Sequence, residues 1–301
     1  DIPGIDDFAG ETYFTSRWPH EPVDFTGKRV GIIGTGATAV QAVPKLAEAA
    51  KHLYVFQRTP SSIDIRNNRP IDPEWFSTLG EGWQQKWLMN FVTLQTGGFT
   101  DEDLVEDGWT DISLRIRDRM VEIIKAGGQM GPETLLKAYE DSDDEKMSEI
   151  RERVDTIVGD SRTAEALKPW YRQLCKRPCF HDEYLQSFNN PNTRLVDTDG
   201  KGVERIDETG VWVGGTHHPI GCLLDARGTG EAQRVDARKV APFLLEPVSR
   251  SRKLQFDPLC IVAAALGFSQ TVAMFLQLPA AKDGLPGIVL HRREEWKARL
   301  G

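Results

Sequence analysis

The chain has 301 residues, 40% of them hydrophobic and 27% charged, with a formal net charge of −8. That length predicts one to three domains with ample surface to bury, and the acidic balance excludes the basic footprint of a nucleic-acid binder. Four cysteines are too few for a disulfide framework, so a reducing cytoplasm is the expected location; no apolar run is long enough to span a bilayer, and the opening DIPGIDDFAG is no signal peptide.

Residues 1–29 hold Pro3-Gly4, Trp18-Pro19-His20, Pro22 and Gly27, which read as an extended connector with turns. Arg29 to Pro60 then reads as strand, glycine turn, helix, strand. An apolar run Val30-Gly31-Ile32-Ile33 leads into Gly34-Thr35-Gly36-Ala37-Thr38-Ala39. Val40, Val43, Leu46 and Ala47 follow at helical spacing, and Leu53-Tyr54-Val55-Phe56 forms the second run. The chemistry of such a unit is phosphate binding. Gly34 permits the tight turn, Gly36 lets backbone approach a pyrophosphate, and Ala39 is the small third residue. The N–H groups opening the helix face the anion. An acidic residue ending the second strand would favour a free ribose 2′-hydroxyl. Arg58 and Thr59 stand there instead, which suits a 2′-phosphate and hence NADPH.

The segment DFAGETYFTSRWPHEPVDFTGKRVGIIGTGATAVQ resembles the Baeyer–Villiger monooxygenases, flavoenzymes that insert oxygen beside a ketone. Their fingerprint, F-x-G-x-x-x-H-x-x-x-W-[PD], precedes the second dinucleotide motif. Phe8, Gly10, Trp18 and Pro19 match it, and Phe14 stands at the histidine position, which in the family is tied to coupling between the cofactor domains.

After Pro60 the sequence turns irregular (Arg66-Asn67-Asn68-Arg69-Pro70, Asp72-Pro73) and then helical. Ile112, Ile116, Met120, Ile123 and Ile124 share one face, as do Met147, Ile150, Val154 and Ile157, with Gly127-Gly128 and Gly131-Pro132 between them. The acidic run Glu140-Asp141-Ser142-Asp143-Asp144-Glu145 reads as a solvated loop and helix start in preference to a metal site. The block resembles the helical insertion that shapes the substrate cavity in the same family. By that resemblance Trp83, Trp87, Phe91, Phe99 and Trp109 line the cavity; by residue type they pack a core.

Residues 167–198 open three readings from the residues alone. Cys175, Cys179 and His181 lack the spacing of a structural zinc site, and no sequence feature pairs Cys175 with a base. Lys176 and Arg177 are adjacent cations beside Pro178, suited to a phosphate and to a developing anion. The resemblance selects this third reading. It implies that Lys176 joins Arg58 and Thr59 around the 2′-phosphate, and that Arg177 is the catalytic arginine that holds the nicotinamide and steadies the flavin peroxide anion. An arginine keeps its proton at working pH. No metal ligands are assigned.

Residues 192–213 alternate and turn at Asp199-Gly200 and Thr209-Gly210, so they read as strands joined by hairpin-type turns. Similar strands in the family precede a buried strand ending A-T-G-F. The counterpart here is Cys222 to Thr229, where Ala226 and Gly228 fit and Asp225, Arg227 and Thr229 do not. The remainder carries no resemblance. Residues 1–225 have a net charge of −13 and residues 226–301 one of +5, together the −8 of the chain. The Arg-, Ala-, Pro- and Leu-rich tail has the composition of an out-of-frame or chimeric segment, and its apolar stretch Leu259–Leu278, broken by Gly267, Ser269 and Gln270, reads as a buried or aggregation-prone helix rather than a membrane span.

The expected architecture is α/β. A Rossmann-like NADPH-binding domain (30–65 and 168–224) carries a helical insertion (66–167), between a connector (1–29) and a tail of unknown assignment (225–301). The candidate cofactor-binding residues are Gly34, Thr35, Gly36, Ala37, Thr38, Ala39, Gln41, Arg58, Thr59 and Lys176, with Arg177 catalytic. One glycine fingerprint is present where the family has two. The resemblance therefore implies an internal fragment whose FAD is mostly bound by a domain absent here, and whose ketone and O2 chemistry belongs to the intact enzyme. The alternatives are an inactive nucleotide-binding remnant and a related monooxygenase that oxidises nitrogen or sulfur.

Overall fold

The computed structural model describes residues 2–129 and 131–227. The predicted connector contributes a strand, β1 (Glu11–Phe14). β2 (Arg29–Ile33), α1 (Ala37–Ala49) and β3 (His52–Gln57) form the predicted strand–turn–helix–strand unit. A two-residue strand, β4 (Ile63–Asp64), leads into α2 (Pro73–Ser77), α3 (Trp83–Gln95), α4 (Gly108–Lys125), α5 (Pro132–Ile157) and α6 (Ser161–Leu167). Asp72, Asp107 and Asp160 start three of these helices, each side chain accepting a backbone N–H from the first turn. β5 (Cys179–Phe180), β6 (Thr193–Asp197), β7 (Arg205–Asp207), β8 (Gly210–Val213), β9 (Thr216–Pro219) and β10 (Cys222–Asp225) follow.

The chain divides into two compact units. The first takes the residues up to Ser61, then Val154–Lys168, and the described residues from Glu183 onward. Its centre is a five-stranded, wholly parallel sheet in the order β1-β10-β2-β3-β6. Strands buried on both faces need apolar residues throughout, and β2 is buried from Val30 to Ile33. One face carries α1 over β2 and β3; Ala39, Val40, Val43, Leu46 and Ala47 are its buried stripe. On the other face Ile33, Phe56, Val196 and Leu223 pack with Ile206 and Val211 of the antiparallel sheet β7-β8-β9. Burying each such side chain stabilises the fold by about 1.5–3 kcal/mol.

Two expectations change here. Residues 1–29 are no mere connector, because β1 pairs with β10 from Glu11↔Cys222 to Phe14↔Asp225. β10 itself lies inside the sheet between β1 and β2, so Asp225, placed at the start of the tail by sequence, ends a buried strand. The rest of the predicted tail from residue 228, including Gly228, Thr229 and Leu259–Leu278, lies outside the described residues.

The second unit comprises Ser62–Arg153 and Pro169–Asp182. β4 and β5 pair in parallel, Ile63 opposite Cys179. The acidic run is neither loop nor helix start, because it lies inside α5 with Ser142 and Asp143 fully buried. Lys146, 7% exposed, reaches Asp64 at 2.6 Å and Asp111 of α4 at 2.9 Å. Burial alone would lower the Lys146 ammonium, but its hydrogen bonds to Asp64 and Asp111 hold it above its ordinary pKa. Arg115 of α4 grips Asp111 at 3.0 Å and Glu149 at 2.7 Å. The insertion aromatics do not form a buried core: Phe99 is 73% exposed, and Trp83 and Trp87 are half-buried and pack edge to face. No described helix is long and apolar enough to cross a membrane.

Candidate nucleotide site

The first unit gathers the glycine turn and the end of β3 at the C-terminal ends of two adjacent, parallel inner strands. Gly34 has φ 112°, a left-handed value that a side chain would strain, and a Cβ there would sit 3.4 Å from the Ala226 carbonyl. Gly36 is the residue before α1, and a Cβ on it would meet nothing within 4 Å. That open side is where an anion can approach the backbone. Ala37, Thr38 and Ala39 form the first helical turn, whose N–H groups have no acceptor within the helix. Ala39 is fully buried, which explains a small residue at that position. Thr38 is exposed, and Gln41 is exposed with its amide donating back to the Ala37 carbonyl at 3.0 Å.

Thr35 points inward, 6% exposed, and its Oγ1 donates to the Thr59 carbonyl at 2.7 Å. The Ser61 hydroxyl donates to the Thr35 carbonyl. The glycine turn is thus tied to the loop after β3, a link no sequence pattern announced. Arg58 is exposed at the end of β3. Gln57, buried just before it, donates from Nε2 to the Ala166 carbonyl of α6 at 2.7 Å. The Gln57 carbonyl accepts both the N–H and the hydroxyl of Thr198, each at 2.9 Å. Gly202, with φ 84°, lies against the Arg58 stem, its Cβ position 3.8 Å from the arginine Cδ. The backbone that presents Arg58 is therefore fixed while the guanidinium stays in water.

The fingerprint residues build β1 and its flank. Phe8 is buried with Ile33 and Leu223, and Gly10 leaves no room for a side chain, since a Cβ would stand 2.5 Å from the Gly221 carbonyl oxygen. Trp18 is 43% exposed and packs on Tyr13 and Phe25, with Pro19 next to it half-buried. Phe14, at the histidine position, carries the Arg17 guanidinium 4.8 Å over its ring.

Lys176 and Arg177 belong to the second unit, and both are exposed. Lys176 Nζ stands 4.5 Å over the Tyr171 ring, and the buried Tyr171 hydroxyl accepts the Ser62 N–H at 3.1 Å. Burial, helped by Asp143, pushes the Cys175 thiol above its ordinary pKa, the reverse of what a nucleophile needs. Among the described residues no group of three or more His, Cys, Asp and Glu side chains could hold a metal ion.

No protein-family model matches the chain. It is 50% identical over 236 residues to a Baeyer–Villiger monooxygenase of Stachybotrys chlorohalonatus, covering 75% of this chain and 37% of that protein. Among solved structures, the polycyclic ketone monooxygenase of Thermothelomyces thermophila is similar with a TM-score of 0.65 and 40% identity, covering 76% of this chain and 38% of that one. A complex of OTEMO with FAD and NADP is similar with a TM-score of 0.58 and 29% identity, over 76% of this chain and 44% of that one. The chain thus spans about two fifths of the length of the proteins it matches.

Proposed function

Three quarters of this chain is homologous to Baeyer–Villiger monooxygenases, a flavin monooxygenase family, and on that premise we propose that it is the NADPH-binding part of such an enzyme. The overall reaction would turn a ketone into an ester or lactone using NADPH, FAD and O2. One observation carries the reading: a glycine turn with an open, uncapped helix start stands beside an arginine that ends the second strand. Such a strand end binds a pyrophosphate on backbone N–H groups and discriminates a 2′-phosphate by a side-chain cation.

The residues fit that ligand. Gly34, Thr35 and Gly36 bring bare backbone to the pyrophosphate, and Ala37, Thr38 and Ala39 offer first-turn N–H groups. Gln41 lies one turn further along the helix and supplies an amide. Arg58 and Thr59 bind the 2′-phosphate, with Lys176 as a second cation. Arg177 supplies the fixed positive charge on the nicotinamide side, where a guanidinium keeps its proton throughout turnover. FAD, when bound, supplies oxygen activation; the length beyond the matched two fifths of the relatives is where most of its binding is assigned. The protein's own part is orientation and charge.

Calorimetric titration of the chain with NADP+ and NAD+ tests this reading, with Arg58→Ala alongside. The expected result is a preference for NADP+ that Arg58→Ala reduces roughly tenfold or more, the size of a lost charge-assisted contact. A folded chain that binds neither nucleotide overturns it.

A further inference from the structure

The segment bearing Lys176 and Arg177 is anchored on both sides, and both anchors reach α5. Upstream, Gln173 N donates to Asp143 Oδ1 at 2.8 Å, and Arg172 Nη1 donates to Asp143 Oδ2 at 3.2 Å. Arg151 Nη1 donates to the Pro169 carbonyl at 3.2 Å. Downstream, Cys179 N and His181 N donate to the Ser62 and Asp64 carbonyls of the β4 segment at 3.1 and 2.9 Å. Arg153 then braces both strands, donating to the Ile63 carbonyl at 3.1 Å and to the His181 carbonyl at 3.2 Å. Lys146 holds Asp64 of the same strand at 2.6 Å. Asp143, Lys146 and Arg153 fall along one stripe of α5.

Within that frame Asp143 stands apart, because its carboxylate sits at the start of the short 3-10 turn Gln173–Cys175 that delivers Lys176. It accepts the first N–H of the turn as an N-cap does, although it comes from 30 residues earlier. Asp143 is 1% exposed. A buried charge is a poor way to add stability, since a well-packed apolar residue commonly serves as well or better; in some proteins such groups instead fix a particular geometry. Lys176 and Arg177 leave the turn toward solvent, Lys176 across the Tyr171 ring, and the turn's backbone sets the point from which both side chains start.

We propose that Asp143 is a positioning residue for the nucleotide cations: by fixing the Gln173–Cys175 turn it sets Lys176 for the 2′-phosphate. This rests on the assignment of Lys176 under the proposed function. It adds to that reading a residue that touches no ligand, on a helix whose acidic run looks like plain solvated surface.

The test uses the full chain and titrates NADP+ and NAD+ into wild type, Lys176→Ala, Asp143→Asn, Asp143→Ala and the Asp143→Asn/Lys176→Ala double variant, each checked by thermal melting. The expected result is that Lys176→Ala lowers the NADP+ to NAD+ affinity ratio about tenfold. Asp143→Ala lowers it by a similar factor with NAD+ affinity kept, and the near-isosteric Asp143→Asn, which keeps one acceptor, lowers it less. The double variant loses no more discrimination than Lys176→Ala alone, as two residues acting through one contact require. If Asp143→Ala does not fold, the Asn variant and the double variant carry the comparison. A wild-type ratio in folded Asp143 variants, with Lys176→Ala impaired, overturns the inference and leaves the nucleotide reading standing. An unchanged ratio in Lys176→Ala overturns the assignment of Lys176 and this inference with it. Equal losses for both nucleotides in the Asp143 variants show general destabilisation and also overturn it.

Discussion

Thr35 Oγ1 donates to the Thr59 carbonyl across 2.7 Å, so the turn after β2 and the segment after β3 are coupled through one buried hydroxyl. Replacing Thr35 by the near-isosteric valine removes that donor and leaves the carbonyl unpaired. The expected cost is about 1–3 kcal/mol in urea unfolding, with weaker binding of both NADP+ and NAD+, since under the proposed function the altered element would face the pyrophosphate they share. A valine variant that binds NAD+ normally would show that the tie serves the fold alone.

Gly10 is a steric requirement of the β1 edge. A methyl group there would stand 2.5 Å from the Gly221 carbonyl oxygen and 2.6 Å from Phe8 Cζ. Gly10→Ala is expected to destabilise the first unit by about 1–3 kcal/mol, as overpacking does. Pairing Gly10→Ala with Phe8→Leu, which frees the ring contact but not the backbone one, should recover only part of the loss in melting temperature.

Lys146 is the shared cation of Asp64 and Asp111. Lys146→Ala strands the Asp64 carboxylate at a mostly buried site, while Asp111 keeps Arg115, and is expected to cost about 3–5 kcal/mol, the range for breaking a buried pair. Lys45→Ala, whose partner Glu48 is 3.0 Å away on the exposed face of α1, should fall within about 1 kcal/mol of wild type. Denaturant melts of the two variants compare these sites directly.

Asp143 gives the stability a pH dependence of defined sign. Burial pushes its carboxyl up to about 6, against the opposing pull of Arg172. The folded state therefore holds this proton more tightly than the unfolded chain, where an aspartate titrates near 3.9. The contribution is favourable below the unfolded pKa and is lost as pH rises through about 6. Wild type minus Asp143→Asn should thus lose stability on going from pH 4 to 6.5, by roughly 2–3 kcal/mol. A difference that is flat or rises with pH across that window would contradict the buried-carboxyl reading.

The strand–turn–helix–strand unit was legible because each of its parts has a local cause: apolar runs for β2 and β3, glycine where φ is positive, and a 3.6-residue stripe on α1. What escaped was decided at long range. β1 has β-forming residues in Thr12, Tyr13 and Phe14, but it is only four residues long, its partner β10 is about 210 residues away, and the Pro- and Gly-punctuated segment around it looks like linker. The charge density of the acidic run of α5 suggests solvent, whereas Arg172 and Gln173 cover Asp143 from a loop some 30 residues away. Ser61 and Gln57 carry no motif, and the bonds that tie Ser61 to Thr35 and Gln57 to Ala166 are visible only in three dimensions. Lys176 and Arg177 were singled out by their chemistry and by family resemblance, and the helix that frames them was not.

The place of β10 in the sheet has a consequence for synthesis. β2 and β3 can pair as soon as they leave the ribosome, but the other edge of β2 waits for Cys222–Asp225, and among the described residues β1 pairs in the sheet with that same strand alone. At about 5–20 residues per second, the intervening chain of about 190 residues takes roughly 10–40 s to make. For that interval the nascent polypeptide displays an apolar, unpaired strand edge, the kind of surface that other chains add to. Among the described strands, the last to be translated is therefore the one that joins β1 to β2, and production of this protein should depend on holdase chaperones and on elongation speed more than the stability of its finished fold would suggest.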